Sequence, residues 1–106
     1  MYVPDFWTII KITGEDPHYR VFASWAGGYT YGGSWRMNSG ITKCEETEDS
    51  FIFHGSTGSK YECRKESYGI HYHSIYTLED YIERSGGKIS KMPEETNWLE
   101  MDWIIS

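Results

Sequence analysis

Apolar and polar positions alternate along most of this chain, most clearly between residues 19 and 36. Tyr19, Val21, Ala23 and Trp25 share one face of an extended segment, and Tyr29, Tyr31, Gly33 and Trp35 share one face of the next. Gly27-Gly28 between them is a two-residue hairpin signal, so the stretch predicts antiparallel strands at 18–26 and 29–36. Phe6–Thr13 is β-branched and aromatic and predicts a strand before them, with a turn at Gly14–Pro17. After a break at Asn38-Ser39-Gly40, strands are predicted at Ile41–Glu46, Ser50–His54, Ser59–Glu66 and Tyr68–Tyr76. In the third of these, Tyr61 and Cys63 face one way while Lys60, Glu62, Arg64 and Glu66 face the other, as in a half-buried strand. Gly32-Gly33 reads as a bend or bulge that lets a sheet curl.

The period changes near residue 77. Thr77 reads as an N-cap with Asp80 in the capping-box position; Leu78, Tyr81 and Ile82 form an apolar face; Gly86 stops the run. That predicts a short helix over about 77–85. From 88 onward Leu99, Met101, Trp103 and Ile105 alternate with Glu100, Asp102 and Ile104. This tail reads as a last strand, or as an apolar arm that docks on a neighbouring subunit. The expectation is one mainly β domain over 1–106, a strand-rich body at about 5–76 followed by the helix and the tail.

Composition sharpens the picture in three ways. Aromatic residues make up 17% of 106 residues, and rings bury much area each, so a small barrel or sandwich can be held by few of them. The net charge is −6, unevenly spread: residues 1–75 carry nine acids and seven bases, residues 76–106 seven acids and three bases. A global basic footprint is therefore missing, while a local basic face on the body stays open. The two cysteines, Cys44 and Cys63, make no disulfide framework and read as small buried residues. No leader pattern and no membrane-length apolar run is seen, so a cytoplasmic location without membrane association is expected.

Candidate chemistry is sparse. His71 and His73 stand two apart on the predicted 68–76 strand, which would put both rings on one face, with Cys44, Cys63 and His54 as further ligands. Zinc signatures pair short spacings on both sides and only one is present, so a half-exposed polar face fits better, and no cofactor is expected. No phosphate-binding glycine loop precedes a helix, and neither cysteine has a nucleophile motif, so an enzyme is not expected. Arg36, Asn38, Lys60, Arg64 and Lys65 come from loops and strand ends, with Tyr29, Tyr31, Trp35 and Tyr68 close in sequence. Cations for backbone and rings for stacking are what a single-strand binder needs. The residues alone favour the plainer alternative, rings in the core and charges outside.

Four strings, Phe6–Ile12, Val21–Tyr29, Ser34–Ile41 and Phe53–Ser59, resemble a family of small uncharacterised proteins from cyanophages and marine metagenomes, over roughly residues 5–75. That family is similar to the Sm-like fold, a strongly bent five-stranded small barrel that assembles into rings. Gly27–Gly32 echoes the glycine spacing of the first Sm motif and Asn38 its loop asparagine, whereas Arg64 is followed by Lys65 and Glu66 in place of the glycine of the second. The resemblance implies a non-catalytic nucleic-acid-binding protein, for RNA or single-stranded DNA, acting as a homo-oligomeric ring of about five to seven subunits. Arg36, Asn38, Lys60, Arg64 and Lys65 would make polar contacts, and Tyr29 and Trp35 would stack. The other expectation is a structural or protein-interaction module that uses its aromatic surface and apolar tail.

Overall fold

The computed structural model describes residues 1–14, 16–26 and 34–103, with His73 described by its backbone only. The strands are β1 (Phe6–Ile12), β2 (His18–Trp25), β3 (Ser34–Met37), β4 (Ile41–Glu46), β5 (Ser50–Gly55), β6 (Lys60–Arg64) and β7 (Ile89–Lys91). A helix, α1 (Tyr72–Arg84), lies between β6 and β7. They form two antiparallel sheets, ordered β3-β2-β1-β7 and β4-β5-β6. The chain is thus mainly β, and among the described residues the two sheets stay separate rather than closing into one barrel. The Gly27-Gly28 turn, the Gly32-Gly33 bend and Tyr29 lie outside the described residues.

The sheet built on β1 and β2 is covered on both faces. Trp7 pairs with Ala23 and Ile9 with Val21, and these four side chains meet Ile41, Phe53, Tyr61 and Cys63 from the second sheet in the main core. Ile10 and Phe22 point the other way and pack under Leu78 of α1. This double coverage explains why Ile9-Ile10 and Val21-Phe22-Ala23 are apolar without interruption: a strand buried on both faces has no polar alternate. Thr8 and Ser24 are buried with them and are satisfied. Thr8 Oγ1 donates to the Gly69 carbonyl at 2.7 Å, and Ser24 Oγ accepts the His71 N–H at 3.0 Å.

The C-terminal third departs from the pattern-based expectation. Residues 68–76 are not a strand: Lys65–Ser67 forms a 3-10 turn, and α1 begins at Tyr72. Thr77 lies inside the helix and caps nothing. The period that governs is Ile75, Leu78 and Ile82, three and four apart, with Leu78 buried and its two neighbours half-buried. The alternating aromatics of 68–76 concealed it. The helix does stop as expected: Gly86 has φ +65, a left-handed conformation that glycine adopts without a Cβ penalty.

Among the described residues the tail forms no strand over 98–103; its strand is β7, which pairs with β1. Beyond it Trp98 and Trp103 are buried in the chain's own core. Trp98 lies against Trp7, Phe53 and Tyr68 with ring centroids 5.8–6.1 Å away, and Trp103 meets Tyr19 edge-on at 5.4 Å. Two indoles bury enough area to hold a segment with little backbone pairing of its own.

Candidate functional site

The loop from Arg36 to Gly40 leaves β3 and enters β4, and Asn38 fixes its path. The Asn38 N–H donates to the Val21 carbonyl at 3.2 Å, and its side-chain Oδ1 accepts the Val21 N–H at 2.9 Å. One residue thereby continues the β2 ladder by a step with a side chain standing in for a carbonyl. Asn38 is 3% exposed, and the Val21 bond sets its amide orientation, so the acceptor is used and the donor, Nδ2, is left over. Nδ2 is buried and has no hydrogen-bond partner among the described residues.

A cavity of about 400 Å³ opens beside this loop, lined by residues of the loop, of β2, of the 57–61 segment and by Tyr2. Arg20, Arg36, Asn38, Ser39, Thr57 and Ser59 supply its polar lining, and Tyr2, Met37 and Tyr61 complete it. Among the described residues no carboxylate lines it. Ser59 Oγ is the other buried polar side-chain atom without a partner among the described residues. It fits because residue 55 is glycine: a β-carbon there would collide with Ser59 Oγ and lie 3.0 Å from Ser39 Oγ. Ser39 Oγ accepts the Thr57 N–H at 3.1 Å and shares a 2.9 Å bond with the Thr57 hydroxyl. Of the two protons in that hydroxyl pair one is engaged, and one remains to be donated.

The Arg36 guanidinium sits 4.6 Å above the Tyr2 ring and donates Nη1–H to the Tyr2 hydroxyl at 2.8 Å. Tyr2 in turn lies 4.9 Å from the Tyr61 ring. Burial raises the Tyr61 hydroxyl above its ordinary pKa, and the nearby Arg36 charge opposes that rise. The pile of cation, ring and ring holds Arg36 at the mouth of the cavity. Arg20 donates its Nε–H to His18 Nε2 at 2.8 Å.

The sequence-predicted residues divide. Arg36 and Asn38 come together at the cavity, and Lys60 stands beside it at the head of β6, its carbonyl accepting the Tyr2 N–H. Arg64 is at the far end of β6, four residues and roughly 13 Å along the strand. Lys65 is held by Glu46, Nζ to Oε2 at 2.6 Å, over the Phe51 ring. Trp35 lies on the opposite face of β3 from Arg36, stacked on Phe22 at 5.4 Å and met edge-on by Tyr81, so it is not placed to stack beside that arginine. The residues that pattern reading missed are Tyr2, Arg20, Thr57 and Ser59. The one local signal was the run of hydroxyls at Ser56-Thr57-Gly58-Ser59, which read as a turn.

The remaining candidates are placed otherwise. His71 precedes α1 and His73 is in its first turn, so the two do not share a strand face. Among the described residues no three His, Cys, Asp or Glu side chains gather as metal ligands. Cys63 is buried and Cys44 half-buried; burial, reinforced by Glu46 and Glu45, pushes the Cys44 thiol up to about 12, far from a thiolate nucleophile. A second cavity of about 480 Å³ under α1 is lined by Thr8, Tyr68, Ile70, Ile75 and Met92, among others. Its Thr8 and Tyr68 hydroxyls already donate to the Gly69 and Met92 carbonyls. No helix among the described residues is long and apolar enough to cross a membrane. No protein-family model, curated protein or solved structure matches the chain.

Proposed function

We propose that this chain is a non-catalytic binding protein for single-stranded nucleic acid, RNA in the first place, which it holds by its phosphates at the Arg36–Ser39 loop. One observation carries the reading: a cavity bordered by two arginines and, among the described residues, by no carboxylate contains residues whose buried donors have no partner among those residues. Buried polar groups are otherwise almost always paired, so leftover donors beside fixed positive charge favour an anion. The acidic total does not oppose this, because attraction is set by the local field at the site and the excess acid lies in residues 76–106. The Sm-like ring belongs to the same proposal as its form of assembly. The outer edge of β4 has no strand partner among the described residues, and pairing between subunits would cover such an edge.

The test is fluorescence anisotropy with labelled single-stranded RNA and DNA over a range of salt, with mass followed by light scattering. Affinity is expected to fall with salt at a slope of about 0.7 per neutralised phosphate. Arg36→Glu should weaken binding by about tenfold or more, while Arg64→Glu and Lys65→Glu change it by about twofold or less. Absence of salt-dependent binding by the folded protein overturns the proposal.

A second reading, a protein-interaction module, is favoured by the outer face of α1. Tyr72 and Tyr76 lie one turn apart and are 68% and 77% exposed. The tail would not serve it through Trp98 or Trp103, which the core occupies. Binding through these rings would be insensitive to salt, which separates the two readings.

A further inference from the structure

We propose that the cavity at the Arg36–Ser39 loop is a pocket for a terminal phosphate, a phosphomonoester at the end of a strand, rather than for the phosphodiesters along it. The inference rests on the nucleic-acid reading above and deepens it. The donors are counted atom by atom. Asn38 Nδ2 and Ser59 Oγ are buried and unpaired among the described residues. The Ser39–Thr57 hydroxyl pair has one proton left to give. Arg36 uses Nη1 on Tyr2 and also bonds the Tyr61 hydroxyl, which leaves part of its five N–H donors for a ligand. The lining hydroxyls can accept as well as donate, but Asn38 Nδ2 and the guanidinium N–H groups only donate, and among the described residues no carboxylate lines the cavity to answer a ligand's own donors. Several converging donors and net positive charge match a group that only accepts, and a monoester phosphate offers three terminal oxygens and more charge than a diester.

Shape selects the end of the strand. An internal phosphodiester has a sugar on each side and needs an open groove. Here the leftover donors belong to side-chain atoms with essentially no solvent exposure, Asn38 being 3% exposed, so they form the inner end of a concavity. A terminal group, with no second sugar to accommodate, can approach them more closely than an internal phosphodiester can. About 400 Å³ gives room for a phosphate with its nucleoside.

The experiment compares oligonucleotides identical except for their ends, hydroxyl or phosphate at 5′ and at 3′, labelled at the opposite end, with inorganic phosphate followed separately by amide NMR shifts. A strand with a phosphate at one of its ends should bind about tenfold or more tightly than its hydroxyl counterpart. Inorganic phosphate should shift the Asn38, Ser39 and Ser59 amides while chloride at equal ionic strength does not. Asn38→Asp keeps the acceptor for the Val21 N–H and replaces the free donor with a negative oxygen, and it should abolish the preference. Ser59→Ala removes one free hydroxyl without touching the ladder and should reduce the preference severalfold, which keeps the test sharp if Asn38→Asp does not fold. Equal, salt-dependent binding of both kinds of end overturns the pocket and leaves the nucleic-acid reading standing. If no oligonucleotide binds, the nucleic-acid reading fails, and the phosphate titration alone decides: localised shifts retain a phosphomonoester pocket, and no shifts overturn it.

Discussion

At the scale of single residues, the site is made by what two small side chains leave undone. Asn38 gives its oxygen to the β2 ladder and keeps its nitrogen, and Gly55 gives up a β-carbon so that two serine hydroxyls can approach. Gly55 does not have the positive φ found at several other glycines, so its role is space rather than backbone freedom. Gly55→Ala is therefore expected to displace the Ser59 and Ser39 hydroxyls, to cost about 1–3 kcal/mol as overpacking does, and to weaken phosphate binding. A urea melt and the phosphate titration on the same variant check both effects. Unchanged stability and binding would mean that the hydroxyls relax freely and do not form the site.

At the scale of elements, the strands were legible and their partners were not. Alternation at 60–64 reports a half-buried strand directly. The uninterrupted apolar runs of β1 and β2 are explained only by the helix on their other face. The helix start was missed because large apolar and aromatic residues alternate through Tyr68, Ile70 and Tyr72 while the buried period is Ile75, Leu78 and Ile82. Arg36 and Asn38 were recognisable as a charged and a polar residue in one loop. Trp35 was not recognisable as belonging to the other side, since that depends on which face of β3 meets α1. Arg20, Thr57 and Ser59 come from segments far apart in sequence, and only the fold brings them to one cavity. The position of the helix start is testable. If Thr77 capped a helix, Thr77→Ala would cost about 1 kcal/mol; as a mid-helix residue it should change stability by about 0.5 kcal/mol or less. Leu78→Ala, which empties the space over Ile10 and Phe22, should cost about 2–5 kcal/mol. Chemical denaturation of the two variants distinguishes the arrangements.

At the scale of the whole molecule, one side chain joins parts that alternation along the chain leaves unrelated. The Tyr68 hydroxyl accepts the Ile9 N–H at 3.3 Å and donates to the Met92 carbonyl, tying β1 to the tail. Its ring meets Trp7 edge-on at 4.8 Å and stacks on Trp98 at 5.9 Å, tying both to the core. Burial pushes its pKa from the ordinary 10 up to about 12, because a phenolate there would lose water, and the nearby Glu94 and Glu95 charges add to the rise. The folded chain thus holds this proton more tightly than the unfolded chain does. The associated stability is complete below pH 10 and is lost as the pH rises toward about 12. Tyr61 and Cys44 are raised in the same sense, so the alkaline loss of stability is shared, and a substitution is needed to isolate the Tyr68 part. Tyr68→Phe should lose about 1 kcal/mol at neutral pH, the worth of the bond to Met92, and should then fall less steeply than the parent between pH 10 and about 12. Urea midpoints across that range provide the measurement. Parallel curves for the two proteins would show that Tyr68 does not carry the alkaline transition. Convergence would show that a single buried hydroxyl couples β1, the helix lead-in and the tail into one cooperative unit.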